Sequence, residues 1–273
     1  MRKLLCTLLA LLMITGCSSE GGNTQNDDNT FVVGMECNYA PFNWTDAASN
    51  ETNHPETSGN YCDGYDVQVA KKIAEGLNQE LVIMKLDWDA LQPALATDTI
   101  DAIIAGMTAT PERAENAEFT TPYYQSEMVM IVLKDSELAK ATSINDFSGH
   151  KVLGQLNTMY DTVIDQIPNV EHLTPLESYP YMIASLLNGE AEALTAETPV
   201  GQGAIAAHPE LALVTFAPGQ GFNIDMSETS VSIGVKKGNM ELLNQVQTIL
   251  DTIPEAERTQ MMKDATSRQP SNN

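Results

Sequence analysis

Apolar and polar positions along this chain follow two alternating rhythms. Short apolar runs at 31–35, 81–85 and 102–105 read as buried strands. Between the first two, Val67, Ala70, Ile73, Ala74 and Leu77 recur three and four residues apart, which predicts a helix over 65–78 with one apolar face. A short helix is expected over 88–96 behind Asp87, with Leu91 and Leu95 on one side. Thr110-Pro111 marks another helix start, with Thr as N-cap and Pro in the first turn. After a strong strand signal at 128–133 and a turn-rich stretch at 145–149, the alternation begins again. Strands are expected at 151–156, 170–174, 191–196 and 211–216, with helices at 158–166, 181–188 and 199–207. A last strand at 230–236 precedes helices at 240–251 and 255–263. Strands alternating with helices imply an α/β chain with largely parallel sheet covered on both faces. The polar stretch 45–60 reads as a long surface loop, and 267–273 as a frayed polar tail.

The chain starts differently. Arg2 and Lys3 precede an apolar run at 4–14, followed by Thr15, Gly16 and Cys17. A bilayer-spanning helix needs ~20 apolar residues, so this run is a secretory signal rather than a span. The ending Ile14-Thr15-Gly16-Cys17 resembles the lipobox of bacterial lipoproteins. That resemblance implies a signal peptide over 1–16, cleavage before Cys17, and a diacylglyceryl thioether with palmitate-type acylation on Cys17. The protein would then be lipid-anchored on the extracellular face of the cell membrane. Residues 18–29 carry no large apolar side chain and read as a flexible leash.

Composition narrows the partners. There are 37 acidic and 14 basic residues among 273, a formal net charge of -23. Nucleic acid and anionic lipid both demand clustered Lys and Arg, so neither is expected as a partner. Hydrophobic content of 42% is that of a folded chain, so the acidity is not a sign of disorder. Of four cysteines, Cys6 leaves with the leader and Cys17 takes the lipid. Cys37 and Cys62 remain, an even pair in an oxidising compartment, either bridged or two buried thiols. The four histidines show no ligand spacing, and Gly201-Gln202-Gly203 sits inside or at the start of a helix rather than directly after a strand. No metal and no cofactor are expected.

One stretch is dense in groups that suit a free amino acid. A buried strand delivers Gly106 and Thr108 at its C-terminal end, where open α/β sheets bind ligands. Thr108 offers a hydroxyl and a backbone N–H, and Arg113 a planar fork of donors that fits a carboxylate.

At these residues the chain resembles the extracellular solute-binding proteins of polar amino acid ABC transporters, the type of the histidine- and glutamine-binding proteins. The matching motifs are Val33-Gly34-Met35-Glu36, Tyr39-Ala40-Pro41-Phe42, Gly64-Tyr65-Asp66-Val67, Trp88-Asp89-Ala90-Leu91, the segment 106–113, and Phe119-Thr120-Thr121-Pro122-Tyr123-Tyr124. Weaker but collinear are 154–158 and Glu192-Ala193-Leu194-Thr195-Ala196-Glu197-Thr198-Pro199. The resemblance covers 31–265 and implies a two-lobed clamshell of the periplasmic-binding-protein type with two crossover strands and the ligand between the lobes. Lobe one would comprise 30–125 and 228–273, and lobe two 126–227. Arg113 and Thr108 would hold the ligand's α-carboxylate, helped by a backbone N–H near Thr158 and Met159. The Gly106 carbonyl and Glu197 would hold its α-ammonium, and Tyr39 would stack on its side chain.

Three departures stand out. Glu197 replaces the family's usual Asp, Asn157-Thr158-Met159 replaces Gly-Thr-Thr, and the segment between Phe42 and Gly64 is longer than usual. Glu36 and Asp66 match carboxylates of relatives that bind cations, and Trp88 matches a residue facing Tyr39. Two aromatic faces ending in a carboxylate suit arginine, lysine or histidine. Asp66 equally reads as a helix cap, and Trp88 as core.

The function implied is a non-enzymatic, monomeric binding protein that captures a free amino acid and delivers it to an ABC permease. The alternatives are an enzyme on the same scaffold, of the cyclohexadienyl-dehydratase type, and an amino-acid-sensing surface lipoprotein.

Overall fold

The computed structural model describes residues 29–270. The signal peptide, the lipidation site Cys17 and nearly all of the leash lie outside the described residues.

Two five-stranded sheets organise the chain. The first has the spatial order Glu80–Lys85, Thr30–Met35, Ala102–Ile103, Gly234–Lys236, Ala117–Phe119. Thr30–Met35 is parallel to both its neighbours, and its last five residues are buried. Such a run has no polar face to give to solvent, so it becomes a central strand. The second sheet has the order Glu171–His172, Lys151–Leu153, Ala193–Glu197, Met128–Leu133, Leu211–Val214. Tyr124–Gln125 and Ser230–Val231 pair antiparallel where the chain passes between the two sheets, outward and back. They are the two crossovers of a two-lobed clamshell.

The sheets are mixed rather than largely parallel. Gly234–Lys236 is antiparallel to both its neighbours, because it belongs to the returning chain and runs against the outgoing strands. The single strand expected over 230–236 is two strands in two sheets. Between them Ser232 N–H donates to the Met107 carbonyl at 2.8 Å and Ile233 N–H to Thr120 Oγ1 at 3.0 Å. A continuous apolar run cannot reveal that its hydrogen-bond partners change halfway.

The stretch 45–60 is not a plain surface loop. Asn38–Tyr39, Asn43–Asp46, Tyr61–Asp63 and His54–Pro55 form a four-stranded antiparallel sheet in that order. Cys37 and Cys62 are disulfide-bonded, with Cα atoms 5.6 Å apart, and tie this sheet to the end of the first strand. Polar residues make its turns: Asn50 Oδ1 accepts from the N–H groups of Thr52 and Asn53, both at 2.8 Å, and the Glu56 carboxylate from Ser58 N–H at 2.6 Å. The composition that signals a loop is here spent on local hydrogen bonds.

The final helix, Glu255–Arg268, runs past the expected end and takes in the start of the presumed tail. Arg268 Nη2 lies 3.3 Å from Asp63 Oδ1, and Gln269 donates to the Gly203 carbonyl. Partners distant in sequence hold this polar end, which local pattern cannot show.

Candidate ligand site

The first lobe builds its half of the site on the end of one strand and the start of one helix. The helix Tyr65–Leu77 begins at Gly64, with φ 132°, and a Cβ there would sit 2.2 Å from the Phe42 carbonyl oxygen. Only glycine permits this approach. It lets Tyr65 and Asp66 N–H donate to the carbonyls of Pro41 and Phe42, at 3.0 and 2.8 Å, and so fixes the turn that carries Tyr39. Gly106, at φ 63°, plays a similar part: a Cβ would lie 2.8 Å from the Tyr39 ring. Tyr39 stacks on Phe42 with ring centroids 5.2 Å apart, and meets Tyr179 of the second lobe at 5.3 Å.

Thr110 caps the helix Pro111–Ala114 by accepting from Arg113 N–H at 3.2 Å, as its sequence predicts. The cap aims the Arg113 side chain back across the cleft. Its Nη1 donates to the Thr108 carbonyl at 3.0 Å and its Nη2 to the Asn157 carbonyl of the second lobe at 3.1 Å. The guanidinium lies 5.0 Å from the centre of the Trp88 ring. Trp88 is half-buried rather than core.

A narrow cavity of about 20 Å³ brings together Glu36, Tyr39, Trp88, Gly106, Thr108, Arg113, Thr158 and Met159. Thr110, Gln155 and Tyr160 complete the lining. Thr158 N-caps the short helix Met159–Thr162, and its hydroxyl donates to the Gln155 carbonyl at 2.8 Å. His172 braces that helix, with its two ring nitrogens 2.8 Å from Asp161 and 2.9 Å from Asp165.

Two expected residues lie behind the cavity rather than on it. Asp66 accepts from the Tyr123 hydroxyl at 2.7 Å and from Asn43 Nδ2 at 2.8 Å. The Tyr123 oxygen in turn accepts from Gly106 N–H at 3.0 Å. Asp66 therefore positions Gly106 through Tyr123, and its side chain makes no helix cap. Glu197 accepts from the hydroxyls of Tyr39 and of Ser126, the latter at 2.6 Å, so it anchors the ring of Tyr39 across the cleft.

The charge balance is lopsided. Glu36 is 3% exposed, and its Oε2 has no hydrogen-bond partner. Burial, then Asp87, Asp89 and Asp66, push its carboxyl up to about 8. Burial likewise pushes Glu197 up to about 7 and Asp66 up to about 6, against the hydroxyls that hydrogen-bond them. Each shift reports a carboxylate short of compensating charge.

The matched pattern of known proteins spans 31–265, that of the bacterial extracellular solute-binding proteins, family 3. This chain belongs to that family. It is accordingly a binding protein rather than an enzyme. A probable histidine-binding protein of Campylobacter jejuni is 28% identical over 197 residues, 72% of this chain and 71% of that protein. The ABC transporter arginine-binding protein 1 of Escherichia coli is 30% identical over 70% of this chain and 75% of its own length. An amino acid ABC transporter substrate-binding protein of Streptococcus pneumoniae, solved with L-arginine bound, matches with a TM-score of 0.75 at 26% identity, covering 88% of this chain and 95% of that one.

One of the departures has a local structural reason. Asn157 sits at φ 58°. Asparagine tolerates this left-handed conformation better than most side chains. It also adds a contact that glycine cannot make: its Nδ2 donates to Asp89 Oδ1 of the first lobe at 2.8 Å. Sequence reasoning missed Tyr123, Gln155, Tyr160 and this Asn157–Asp89 link. Tyr123 lies within a quoted motif, but nothing local distinguishes a buried tyrosine that positions a glycine from one that only packs.

Proposed function

We propose that this protein captures a cationic amino acid, namely arginine, lysine or histidine, on the extracellular face of the cell membrane and delivers it to an ABC permease. The lobes are assigned as 30–125 with 228–273, and 126–227. The observation that carries the reading is that one cavity is lined by Arg113 and Thr108, by the aromatic Tyr39 and Trp88, and by the buried Glu36, whose Oε2 has no hydrogen-bond partner. Arg113, Thr108 and the N–H groups near Thr158 and Met159 hold the α-carboxylate. The Gly106 carbonyl holds the α-ammonium, together with Glu197 if the ammonium replaces the Tyr39 hydroxyl as its partner. Glu36 holds the distal cation, with Asp66, Asp87 and Asp89 adding negative potential behind it. Relatives named for arginine and histidine support the cationic assignment.

The protein works as a monomer tethered through a lipid on Cys17 and the leash 18–29. An enzymatic role for Glu197 fits poorly, because both its oxygens already accept hydrogen bonds from Tyr39 and Ser126. A thermal-shift screen against the twenty amino acids tests the assignment. A ligand that binds only the folded form adds ~2.7 kcal/mol of stability at a hundredfold excess over Kd. Arginine, lysine or histidine should raise the midpoint; shifts confined to neutral or acidic amino acids would remove the cationic reading.

A further inference from the structure

The second lobe meets the cavity through one short turn. Asn157 gives its carbonyl to Arg113 Nη2 at 3.1 Å, and Thr158, Met159 and Tyr160 line the cavity itself. The helix that continues this turn, Met159–Thr162, has four residues, too few to hold its shape without outside contacts. Its inner side rests on the sheet. Gly154 lets the backbone come close, since a Cβ there would lie 2.4 Å from Asp161 Cα, and the Thr195 hydroxyl donates to the Tyr160 carbonyl.

A charged clamp holds the same helix from the edge of that sheet. Asp161 lies on the helix and Asp165 on the 3₁₀ turn Val163–Gln166 that follows it. Carboxylates four residues apart on a helical stretch are neighbours and repel each other. His172, on the edge strand Glu171–His172, bridges them, with Nε2 2.8 Å from Asp161 Oδ1 and Nδ1 2.9 Å from Asp165 Oδ1. A neutral imidazole has one N–H and one lone pair, so it can donate to one carboxylate while its lone pair faces the other. The imidazolium donates to both. Burial lowers the pKa of His172, but the hydrogen bonds and charges of Asp161 and Asp165 outweigh burial and raise it. On the adjoining strand, Val152 lies opposite His172, and Lys151 lies opposite Glu171. Asp165 is exposed and contributes little alone, whereas Asp161 and His172 are both partly buried, so their pairing carries more weight.

We propose that His172 is a positioning residue of the ligand site: as an imidazolium bridging Asp161 and Asp165, it fixes the turn 157–160 against the cavity, so that ligand binding favours the protonated ring. This rests on the functional reading above, in which that turn meets the ligand's α-carboxylate. The coupling is reciprocal, so a ligand that prefers the imidazolium must also raise the ring's pKa. The benefit to binding is complete while His172 is charged and is lost as pH rises through its raised value, above the ordinary ~6.5.

Calorimetry of wild type and His172→Gln tests this between about pH 5.5 and about pH 9, a range that spans the imidazole titration. The probes are L-arginine, L-lysine and L-histidine, and the comparison uses whichever binds the wild type tightest. Taking the ratio of the two Kd values cancels the titration of the ligand and of Glu36 and Glu197. The variant should bind ~5–10-fold more weakly at the acid end, and the gap should close to less than ~3-fold at the alkaline end. A gap that does not change with pH would mean that His172 only packs, and no gap at any pH would mean that it does not support the turn. Either result overturns the proposal and leaves the functional reading intact. If none of the three amino acids binds the wild type, the functional reading fails and this one with it. A second measurement needs no variant. The C2–H resonance of His172, followed by nuclear magnetic resonance through a pH titration, should report a higher pKa with saturating ligand than without, by about one pH unit for a tenfold coupling. His54, His150 and His208 serve as internal references. An unmoved His172 titration would overturn the proposal even if the variant failed to fold.

Discussion

Arg113 donates to carbonyls of both lobes, so its removal strips a charged donor from the cleft and a bond from its closure together. Arg113→Ala should lower amino acid affinity at least ~100-fold, read by calorimetry, with an unchanged far-ultraviolet circular dichroism spectrum. Glu36 makes a different prediction because it is a buried acid. Its carboxyl, pushed up to about 8 by burial and then by Asp87, Asp89 and Asp66, is protonated in the ligand-free fold where an unfolded glutamate is ionised. A raised folded value contributes stability that is complete below about 4.5 and is lost as pH rises through about 8. The loss runs at ~1.4 kcal/mol per pH unit within that window. Glu36→Gln keeps the neutral shape. Without ligand it should match the wild type near pH 4.5 and unfold at a higher temperature than the wild type at pH 8. Parallel melting curves of the two proteins across this range would show that Glu36 is not held neutral.

At the scale of elements, the small sheet beside the first strand depends on covalent closure. Cys37 and Cys62 are 25 residues apart, and the bond closes that loop in the unfolded chain as well as the folded one. On a loop-entropy basis its removal should cost ~3 kcal/mol. Cys37→Ala with Cys62→Ala should therefore lower Tm by several degrees, a shift visible by calorimetry. A change under one degree would mean that the hydrogen bonds of Asn50, Asn53 and Glu56 hold the sheet without it. The same sheet ends in Asn38–Tyr39, so its disorder would reach the ligand cavity.

At the scale of the whole molecule, the contacts between lobes include Tyr39 with Glu197 and Tyr179, Gln269 with the Gly203 carbonyl, Arg113 with Asn157, and Asn157 with Asp89. The last is exposed and easily isolated. Asn157→Gly keeps the left-handed backbone and deletes only the side-chain bond to Asp89. A bond of ~0.5–1.5 kcal/mol lost from the closed form should speed ligand release by ~2–10-fold, measured by stopped-flow fluorescence of Trp88 and Trp44. Release at the wild-type rate would mean that this link does not hold the cleft shut.

Local physics fixed much of this protein before any tertiary contact was considered. Apolar pattern specified the helices Tyr65–Leu77 and Met240–Asp251, each of which buries a face that its own spacing defines, and the strand Met128–Leu133, a continuous apolar run buried on both faces. Thr110-Pro111 specified the cap that aims Arg113, because capping is completed within one turn. Motif order specified the family. What only the folded chain decided were matters of long-range partnership. Residues 230–236 divide between two sheets because their partners, Gln125 and Tyr124 on one side and Ile103 and Phe119 on the other, are far away in sequence. Asp66 serves Gly106 through Tyr123, 57 residues along the chain, and Glu197 holds Tyr39 from 158 residues away. A carboxylate in a motif has the same local signature whether it faces a ligand or a buried hydroxyl; which of these it meets depends on how the lobes close around it.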